Sequence, residues 1–323
     1  MSQPGSALRG SIAVIMPTYN RGALMRPAIE SVLAQTRPAA EIIVVSDGAP
    51  IDPAEFIGDL IESGKVRLLR QANAGAPTAR HFGANSATSD YLIFFDDDDT
   101  LRPDALERLG GLLDRRPECV AAAGGTCFVS RPGAPVWLPE PAPADHYFDK
   151  LLDGNEFLGG ATMMRREAYF GCGGFEHDIH TIEDWYLNLR LAWLGPIAIH
   201  PGVVIEYVEA AGSITSRLAQ LDYAVTTASR IATMVGPGGH KAGNRIRAFL
   251  YRMYLDRLLT QIGADLRTLQ LRAAGRKSWR IFKPLFLPMP SRLVLGAWLT
   301  IFAHHFLPDW LWHEVHLPVR LRA

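Results

Sequence analysis

Residues 91–99 read Tyr-Leu-Ile-Phe-Phe-Asp-Asp-Asp-Asp, an apolar run followed at once by four carboxylates. An apolar run of this length is typical of a strand buried on both faces of a parallel sheet. Four adjacent acids repel one another, and a hard divalent cation bridging to phosphate oxygens would relieve that repulsion. The alternative is a solvated acidic turn that caps a helix beginning near Pro103.

Three more apolar runs, at 12–16, 42–45 and 66–69, have a similar length and composition, and helix-patterned segments separate them. This alternation predicts a doubly wound α/β fold. The first crossover helix is expected to follow Asn20, which would cap it. Its predicted buried stripe comprises Leu24, Ala28, Ile29, Val32 and Leu33.

The second half of the chain is divided by its prolines and glycines. Five prolines in 131–143 predict an exposed loop between a donor side and an acceptor side. Trp185, Leu189 and Trp193 follow helical spacing up to Gly195-Pro196, which predicts a helix ending there. The run 203–208 predicts a closing strand. Beyond about residue 216 the pattern is helical and basic, so a domain boundary is expected between residues 216 and 240.

Polar residues follow the first two predicted strands as well. Met-Pro-Thr-Tyr-Asn-Arg occupies 16–21, and Val-Val-Ser-Asp-Gly occupies 44–48. Each string alone is explained by a turn, because turns use Pro, Asn, Asp and Gly for backbone reasons. Three successive strands that all end in ligand-capable side chains together predict one crevice at the carboxyl edge of the sheet.

The formal net charge of the 323 residues is zero, but it is unevenly distributed. The chain carries −10 up to residue 240 and +10 after it. The acidic part suits a divalent cation, and the basic part suits an anionic membrane surface. Nucleic acid is the weaker alternative, because no nucleic-acid motif is present and the basic residues lie among Leu, Phe and Trp. We therefore expect no nucleic-acid partner.

The segment 277–323 combines tryptophans with cations, as interfacial helices do. The alternative is that its apolar residues pack on the catalytic domain or form a homo-oligomer interface. The residues concerned are Trp279, Trp298, Trp310, Trp312, Arg280, Lys283, Arg292, Arg320 and Arg322.

Several features predict a cytoplasmic protein, peripheral on the inner face of the cell membrane. Residues 1–10 do not resemble a signal peptide, and 12–16 is too short to span a bilayer. The uncharged stretch 293–308 is interrupted by two histidines and is expected to lie in an interface. The three cysteines give an odd number and no metal-ligand spacing, which favours a reduced compartment.

Taken together, these motifs resemble the family-two glycosyltransferases of the GT-A fold, over residues 11–215. The resemblance implies a Rossmann-like mixed sheet flanked by helices, followed by a smaller helical C-terminal region. The expected domains are an extension at 1–10, a GT-A glycosyltransferase domain at 11–220 and a helical basic region at 221–323.

The resemblance also implies which residues bind the nucleotide. The turn after the first strand supplies Pro17, Thr18 and Tyr19, and Asp47 looks like the residue that faces the base. The stretch 73–83 resembles the family's Asn-x-Gly…Ala-Arg-Asn-x-Gly segment, with His81 in place of the usual Asn. The nucleotide-binding residues implied here and in the acidic cluster are Asn73, Gly75, Arg80, Asp96 and Asp97.

The acidic cluster corresponds to the family's Asp-x-Asp motif. Asp96 and Asp98 are the implied ligands of Mg²⁺ or Mn²⁺, with Asp98 as the direct ligand. Gly-Gly-Phe at 173–175 followed by Glu183-Asp184-Trp185 resembles the segment whose Asp is the catalytic base, which implies Asp184. Without the resemblance, Asp184 is only a favourable charge at a helix start.

Two departures from the family pattern matter. Ala210 stands where members often carry a histidine, so the third metal ligand is undetermined. His177, His180 and His200 are interpreted as ordinary surface or supporting histidines rather than as replacements. No Gln-x-x-Arg-Trp string is present, which favours transfer of one sugar per binding event over polymer synthesis.

The predicted function is inverting transfer of a sugar from a nucleotide-sugar donor, a UDP-sugar first, to a glycan or lipid-linked acceptor in cell-surface polysaccharide or glycoconjugate synthesis. A metal-dependent nucleotidyltransferase or phosphohydrolase would use a nucleotide, a metal and an Asp cluster equally well. A non-catalytic protein that binds a nucleotide-sugar within an assembly is the second alternative.

Overall fold

The computed structural model describes residues 9–130, 133–140, 146–180, 182–208 and 220–252. The chain divides into two compact units, Met1–Ser213 and Ile214–Ala323. The predicted domain limits at residues 10 and 220 stay predictions. Ala210 and the basic segment 277–323, including the stretch 293–308, lie outside the described residues.

The strands of the first unit alternate with helices along most of its length. They are β1 (Ile12–Thr18), β2 (Glu41–Asp47), β3 (Arg67–Gln71), β4 (Tyr91–Phe94), β5 (Thr100–Leu101), β6 (Ala121–Phe128), β7 (Val136–Trp137), β8 (Thr162–Arg165) and β9 (Ile197–Tyr207). Within the described residues these nine strands form one sheet in the order β3-β2-β1-β4-β8-β6-β9-β5, with β7 beside β6. β1 to β4 are mutually parallel, whereas β8 runs antiparallel between β4 and β6, so the sheet is mixed.

The helices of the first unit are α1 (Met25–Leu33), α2 (Ala54–Glu62), α3 (Ala76–Ser86), α4 (Ala105–Arg115), α5 (Tyr147–Leu151), α6 (Arg166–Gly171) and α7 (Glu183–Leu194). The second unit contributes α8 (Gln220–Val235) and a further helical stretch at 239–252. None of the helices in the described ranges is both long enough and apolar enough to cross a membrane.

The two faces of β1 are covered by different helices. Val14 and Met16 belong to a buried cluster with Ile29 and Val32 of α1, as the two-residue period of a strand requires. On the opposite face α3 comes very close to the sheet at Gly83. A Cβ atom there would lie 2.5 Å from Ile15 Cγ2, so only glycine permits this approach.

Most predicted elements of the first unit are confirmed. The four predicted parallel strands are present, with ends shifted by one or two residues, and α7 ends at Gly195 as expected.

Three predictions about the N-terminal helix and the proline-rich loop are wrong. Asn20 is not a cap, because a 3₁₀ turn (Gly22–Leu24) precedes α1 and Leu24 occupies the cap position. Leu24 is 61% exposed and Leu33 is 38% exposed, so the predicted stripe is too wide at both ends. α1 packs through Met25 and through the three predicted residues Ala28, Ile29 and Val32. The loop at 131–143 is not wholly irregular, since β7 pairs with β6.

Candidate active site

The carboxyl ends of β1, β2 and β4 meet at one edge because these strands are parallel neighbours. An open cleft lies beside the end of β1. Its lining includes Thr18, Tyr19, Arg21 and Ile51. Thr18 is buried and Tyr19 is exposed, so the turn offers an accessible aromatic ring beside a fixed hydroxyl.

Asp47, at the end of β2, organises the loop that leads into α3. Its carboxylate accepts hydrogen bonds from the backbone N–H groups of Ala74 and Gly75, at 2.8 and 2.9 Å, and from Gln71 Nε2 at 2.8 Å. Gly75 has a φ of +90°, in the region that favours glycine. The contacts of Asp47 are therefore with the 71–75 segment, and a contact with the nucleotide base stays a prediction.

Two arginines from other parts of the chain pair with the acidic cluster that follows β4. Arg21 Nη2 lies 2.6 Å from Asp98 Oδ2, and Arg21 Nε lies 3.6 Å from Asp97 Oδ1. Arg80 Nη2 lies 2.6 Å from Asp96 Oδ1. The side chain of Asp96 is 43% exposed, so of these three carboxylates it is the most accessible to a ligand.

Two positions of the cluster, Asp97 and Asp99, are buried. Burial raises the pKa of Asp97 to about 7, although a hydrogen bond with Thr18 acts in the opposite direction. Burial also raises the pKa of Asp99, against the effect of the Val208 N–H, which donates to Asp99 Oδ1 at 3.1 Å. Among the described residues, Asp97 Oδ2 is buried and has no hydrogen-bond partner. Burial and the crowding of four carboxyl groups therefore make ionisation of Asp97 and Asp99 unfavourable in the absence of a ligand.

Arg80 links the acidic cluster to the start of α7. It projects from α3, and its side chain is only 12% exposed. While Nη2 binds Asp96, Nη1 donates to Glu183 Oε1 at 3.0 Å. The guanidinium also lies over the Phe175 ring, 5.5 Å from its centroid. One fork-shaped cation thus connects residues that are distant in sequence.

Glu183 and Asp184 form the first turn of α7. Burial raises the pKa of each carboxyl, and the positive charge of Arg80 partly opposes that rise for both. Asp184 Oδ1 accepts from the backbone N–H of Trp185 at 2.7 Å, and Asp184 Oδ2 accepts from Asn155 Nδ2 at 3.1 Å. A buried carboxylate whose pKa is raised is better suited to accept a proton than an exposed one.

A cluster of aromatic side chains packs next to Arg80. The Phe175 N–H donates to the Tyr169 hydroxyl at 3.1 Å, and that hydroxyl lies 3.0 Å from His81 Nδ1. Phe175 packs edge-to-face on Phe94, with ring centroids 4.8 Å apart. Burial lowers the pKa of His81, which favours the neutral ring. His81 therefore fills a packing position behind the site.

The acidic cluster fits a divalent cation by the chemistry of its donors. Hard oxygen ligands are what Mg²⁺ and Mn²⁺ prefer, and Asp97 Oδ2 is a buried oxygen that accepts no hydrogen bond from the described residues. Across the described ranges, no three His, Cys, Asp or Glu side chains are arranged as a complete metal site. Asp96 and Asp98 would hold the ion in combination with phosphate oxygens of a bound nucleotide.

Residues 13–170 match the family model described as Glycosyl transferase family 2. Over these residues the chain is similar to glycosyl transferase family 2. The match covers β1 to β8 and α1 to α5, and it includes the acidic cluster and the residues predicted to bind the nucleotide. It ends before α7, so Glu183 and Asp184 lie outside it.

Curated relatives that match this chain are described as glycosyltransferases. An uncharacterized glycosyltransferase of Haemophilus influenzae is 26% identical over 192 residues, which cover 56% of this chain and 61% of the relative. Glycosyltransferase GlyA of Streptococcus pneumoniae is 34% identical over 204 residues, covering 58% of this chain and 29% of the relative. The chain thus spans less than two thirds of either relative.

Two solved structures share the fold. TarS 1–349 of S. aureus superimposes with a TM-score of 0.58 at 16% identity, covering 77% of this chain and 72% of that one. The mannosyltransferase PcManGT of Pyrobaculum calidifontis, solved with GDP-Man and Mn²⁺, gives a TM-score of 0.54 at 18% identity, covering 93% and 88%. The predicted GT-A type α/β fold is confirmed.

The structure brings together most of the site residues predicted for this domain. Thr18 and Tyr19 line the cleft, Arg80 contacts Asp96, and Asp97 lies beside Asp98, while Pro17 is buried within β1 and Asn73 is exposed on the 73–75 loop. The sequence reasoning missed Arg21 and Asn155 as partners of the carboxylates. Arg21 could have been found from its place in the first turn, but nothing in the sequence near Asn155 indicates a pairing with Asp184.

Proposed function

We propose that this chain transfers a sugar from a nucleoside-diphosphate sugar to an acceptor hydroxyl group. The observation that carries the proposal is the position of Arg80, which binds Asp96 of the acidic cluster and Glu183 of α7 at once. This contact holds the acidic cluster, which suits a cation and a diphosphate, close to the first turn of α7. That turn also carries Asp184, the carboxylate suited to act as a base. The family match over residues 13–170 supports the same reaction class.

The donor is proposed to bind with its nucleotide in the cleft at the end of β1. Tyr19 and Ile51 offer apolar surface for a base, and the loop held by Asp47 borders the same edge. A UDP-sugar is the first candidate, and one TarS structure is described as a complex with UDP-GlcNAc. Because PcManGT was solved with GDP-Man, GDP-sugars belong in the same test.

Mg²⁺ or Mn²⁺ is proposed to be held by Asp96 and Asp98, where it would stabilise the negative charge of the departing diphosphate. Asp97, in the same cluster, is proposed to contribute to nucleotide binding. Arg21, paired with Asp98, and Arg80, paired with Asp96, keep these carboxylates oriented in the absence of a ligand.

Asp184 is proposed as the general base. It takes the proton of the acceptor hydroxyl while the acceptor oxygen forms a bond to the anomeric carbon. The bond from that carbon to the diphosphate oxygen breaks, and its electron pair leaves with the nucleoside diphosphate. Attack on the face opposite the leaving group inverts the anomeric configuration.

The acceptor is proposed to be a glycan or a lipid-linked sugar in cell-surface polysaccharide or glycoconjugate synthesis. The support is the charge of +10 after residue 240 and the tryptophans after Lys277, which suit an anionic membrane surface. The protein would then work as a peripheral protein at the cytoplasmic face of the membrane. A homo-oligomer contact is the competing role for the same segment.

The test is incubation of the full-length protein with a panel of UDP-, GDP- and dTDP-sugars, with Mn²⁺ and candidate acceptors present. Nucleoside diphosphate release and sugar transfer are measured separately by chromatography and mass spectrometry. Diphosphate release with a glycosylated product supports the proposal. Release of nucleoside monophosphate or pyrophosphate would favour the nucleotidyltransferase or phosphohydrolase alternative, and tight binding without any product would favour a non-catalytic role.

A further inference from the structure

Asp184 is joined to the interior of α7 by a chain of two side-chain amides. Asn155 Nδ2 donates to Asp184 Oδ2 at 3.1 Å. Asn188, one turn further along α7 and almost fully buried, donates through Nδ2 to Asn155 Oδ1 at 3.2 Å. The same Nδ2 donates to the backbone carbonyl of Phe157 at 3.1 Å.

The direction of this chain is determined by the Phe157 carbonyl. A backbone carbonyl oxygen can only accept, so the amide of Asn188 must turn its NH₂ group toward it. That NH₂ group has a second hydrogen, which meets Asn155 Oδ1. Asn155 must then turn its own NH₂ group toward Asp184, and an ionised carboxylate is the best acceptor for it. Each amide orientation follows from the one before it.

The other charged groups that face Asp184 act in different directions. Arg80 favours the ionised form, whereas Asp96 and Glu183 disfavour it, as does burial. The Trp185 N–H occupies Oδ1. Of the described side chains around Asp184, Asn155 is the one whose hydrogen bond to Oδ2 constrains the rotation of the carboxylate plane.

We propose that Asn155, oriented by Asn188, is a positioning residue that holds the Asp184 carboxylate ionised and in one rotamer for proton abstraction. This assignment rests on the proposed role of Asp184 as the base. Asn155 itself stays outside the bond changes, and it acts by stabilising the form of Asp184 that can accept a proton. Asn188 acts only through Asn155.

The primary test is the titration of the Asp184 carboxyl carbon, followed by ¹³C NMR in the full-length protein and assigned with Asp184→Asn. Asn155→Leu removes the donor, and Asn155→Asp keeps the side-chain size while replacing the donor by an acceptor. Both variants should move the midpoint of the Asp184 titration to higher pH. Asn85→Leu, at an exposed asparagine of α3, is the matched control and should leave it unchanged.

The kinetic test uses the same variants. With Asn155→Leu the transfer rate should fall about tenfold to a hundredfold, as expected for one hydrogen bond to a charged group, while donor affinity by calorimetry is retained. The acidic limb of the rate profile should move to higher pH. Asn188→Leu should have a smaller effect in the same direction, and the double variant should match Asn155→Leu alone, since Asn188 works through Asn155.

An unchanged Asp184 titration in both Asn155 variants would overturn the proposal, as would additive effects in the double variant. If Asn155→Asp behaved like the unaltered protein, the contact would be packing rather than positioning. A protein that yields no product with any donor, yet whose Asp184 titration moves as described, would contradict the proposed transferase activity and leave the positioning intact.

Discussion

The guanidinium of Arg80 donates to the carboxylate of Glu183 at 3.0 Å, and the two residues are 103 positions apart in the chain. Arg80 lies on α3, and it reaches the site because Gly83, one turn later, lets that helix pack closely against Ile15 of β1. α7 delivers Glu183 from the other half of the domain. The contact therefore joins the two halves of the candidate site through a single buried cation.

Replacing Arg80 tests this bridge. Arg80→Lys keeps the charge but not the planar fork, so it cannot hold Asp96 and Glu183 together, and we expect transfer to fall about tenfold or more. Arg80→Met leaves two carboxylates without their partner and should lower the free energy of unfolding by about 3 kcal/mol. Steady-state kinetics and denaturant unfolding measure the two effects.

The control for that experiment is Arg70→Lys, which alters an exposed ion pair with Asp52. Exposed pairs contribute little, so its rate and stability should stay close to those of the unaltered protein. Unimpaired transfer by Arg80→Lys would show that the fork geometry is not needed.

Asp184→Asn should preserve donor binding and lower transfer by about a hundredfold to ten-thousandfold, because a positioned general base contributes that much. Glu183→Gln should lower it less, since Glu183 pairs with Arg80. Transfer rate, donor affinity and the anomeric configuration of the product by NMR are measured together. A product that retains the donor's configuration, or a nearly unimpaired Asp184→Asn enzyme, would remove Asp184 from this role.

Nucleotide-sugar binding should require Mg²⁺ or Mn²⁺ and should weaken in Asp98→Ala, because that change removes a carboxylate ligand and leaves Arg21 without its closest partner. Calorimetry with and without chelator measures the dependence. Asp104→Ala, at an exposed aspartate paired with Arg108, is the matched control. Equal affinity for UDP or a sugar nucleotide in the presence of chelator would contradict the metal role of Asp96 and Asp98.

The lowered pKa of Glu41 predicts that the folded protein loses stability in acid. Partial burial works to raise the pKa of Glu41, but hydrogen bonds from Ser89 and Thr88 outweigh it and lower that pKa below the usual 4.5. A carboxyl group whose folded-state pKa is lowered stabilises the fold above its unfolded pKa, and the gain is lost as pH falls through the folded value.

Glu41→Gln should therefore destabilise the protein by about 1–2 kcal/mol at pH 7, where a charged acceptor is replaced by a neutral one. The difference from the unaltered protein should shrink as pH falls below 4.5. Calorimetric unfolding between pH 7 and 3 measures it, and a constant difference across that range would show that the ionisation of Glu41 is not responsible.

The basic segment after residue 275 should bind anionic liposomes. Removing it should abolish flotation with phosphatidylserine vesicles, and binding of the full chain should weaken as salt rises, because the attraction is electrostatic. Equal flotation of the full-length and shortened chains would favour the packing or oligomer role.

Much of the fold could be predicted from the sequence because the signals are local. The apolar runs that lead into Thr18, Asp47 and Asp96 predict three strands, each followed by polar residues. Parallel strands bring such ends to one edge of the sheet. The cap assigned to Asn20 failed because a 3₁₀ turn and a helix start have similar local composition.

The tertiary structure alone decided how the carboxylates are paired and how deeply each is buried. The sequence by itself placed Asp96 to Asp99 as candidates through their composition and their position after a strand, and Asp184 became a candidate through its resemblance to the family's motif. It could not show that Arg80 joins Asp96 to Glu183, or that Asn155 and Asn188 orient Asp184. Hydrogen bonds and desolvation depend on distances through space between segments far apart in the chain, and a single sequence records only distances along it.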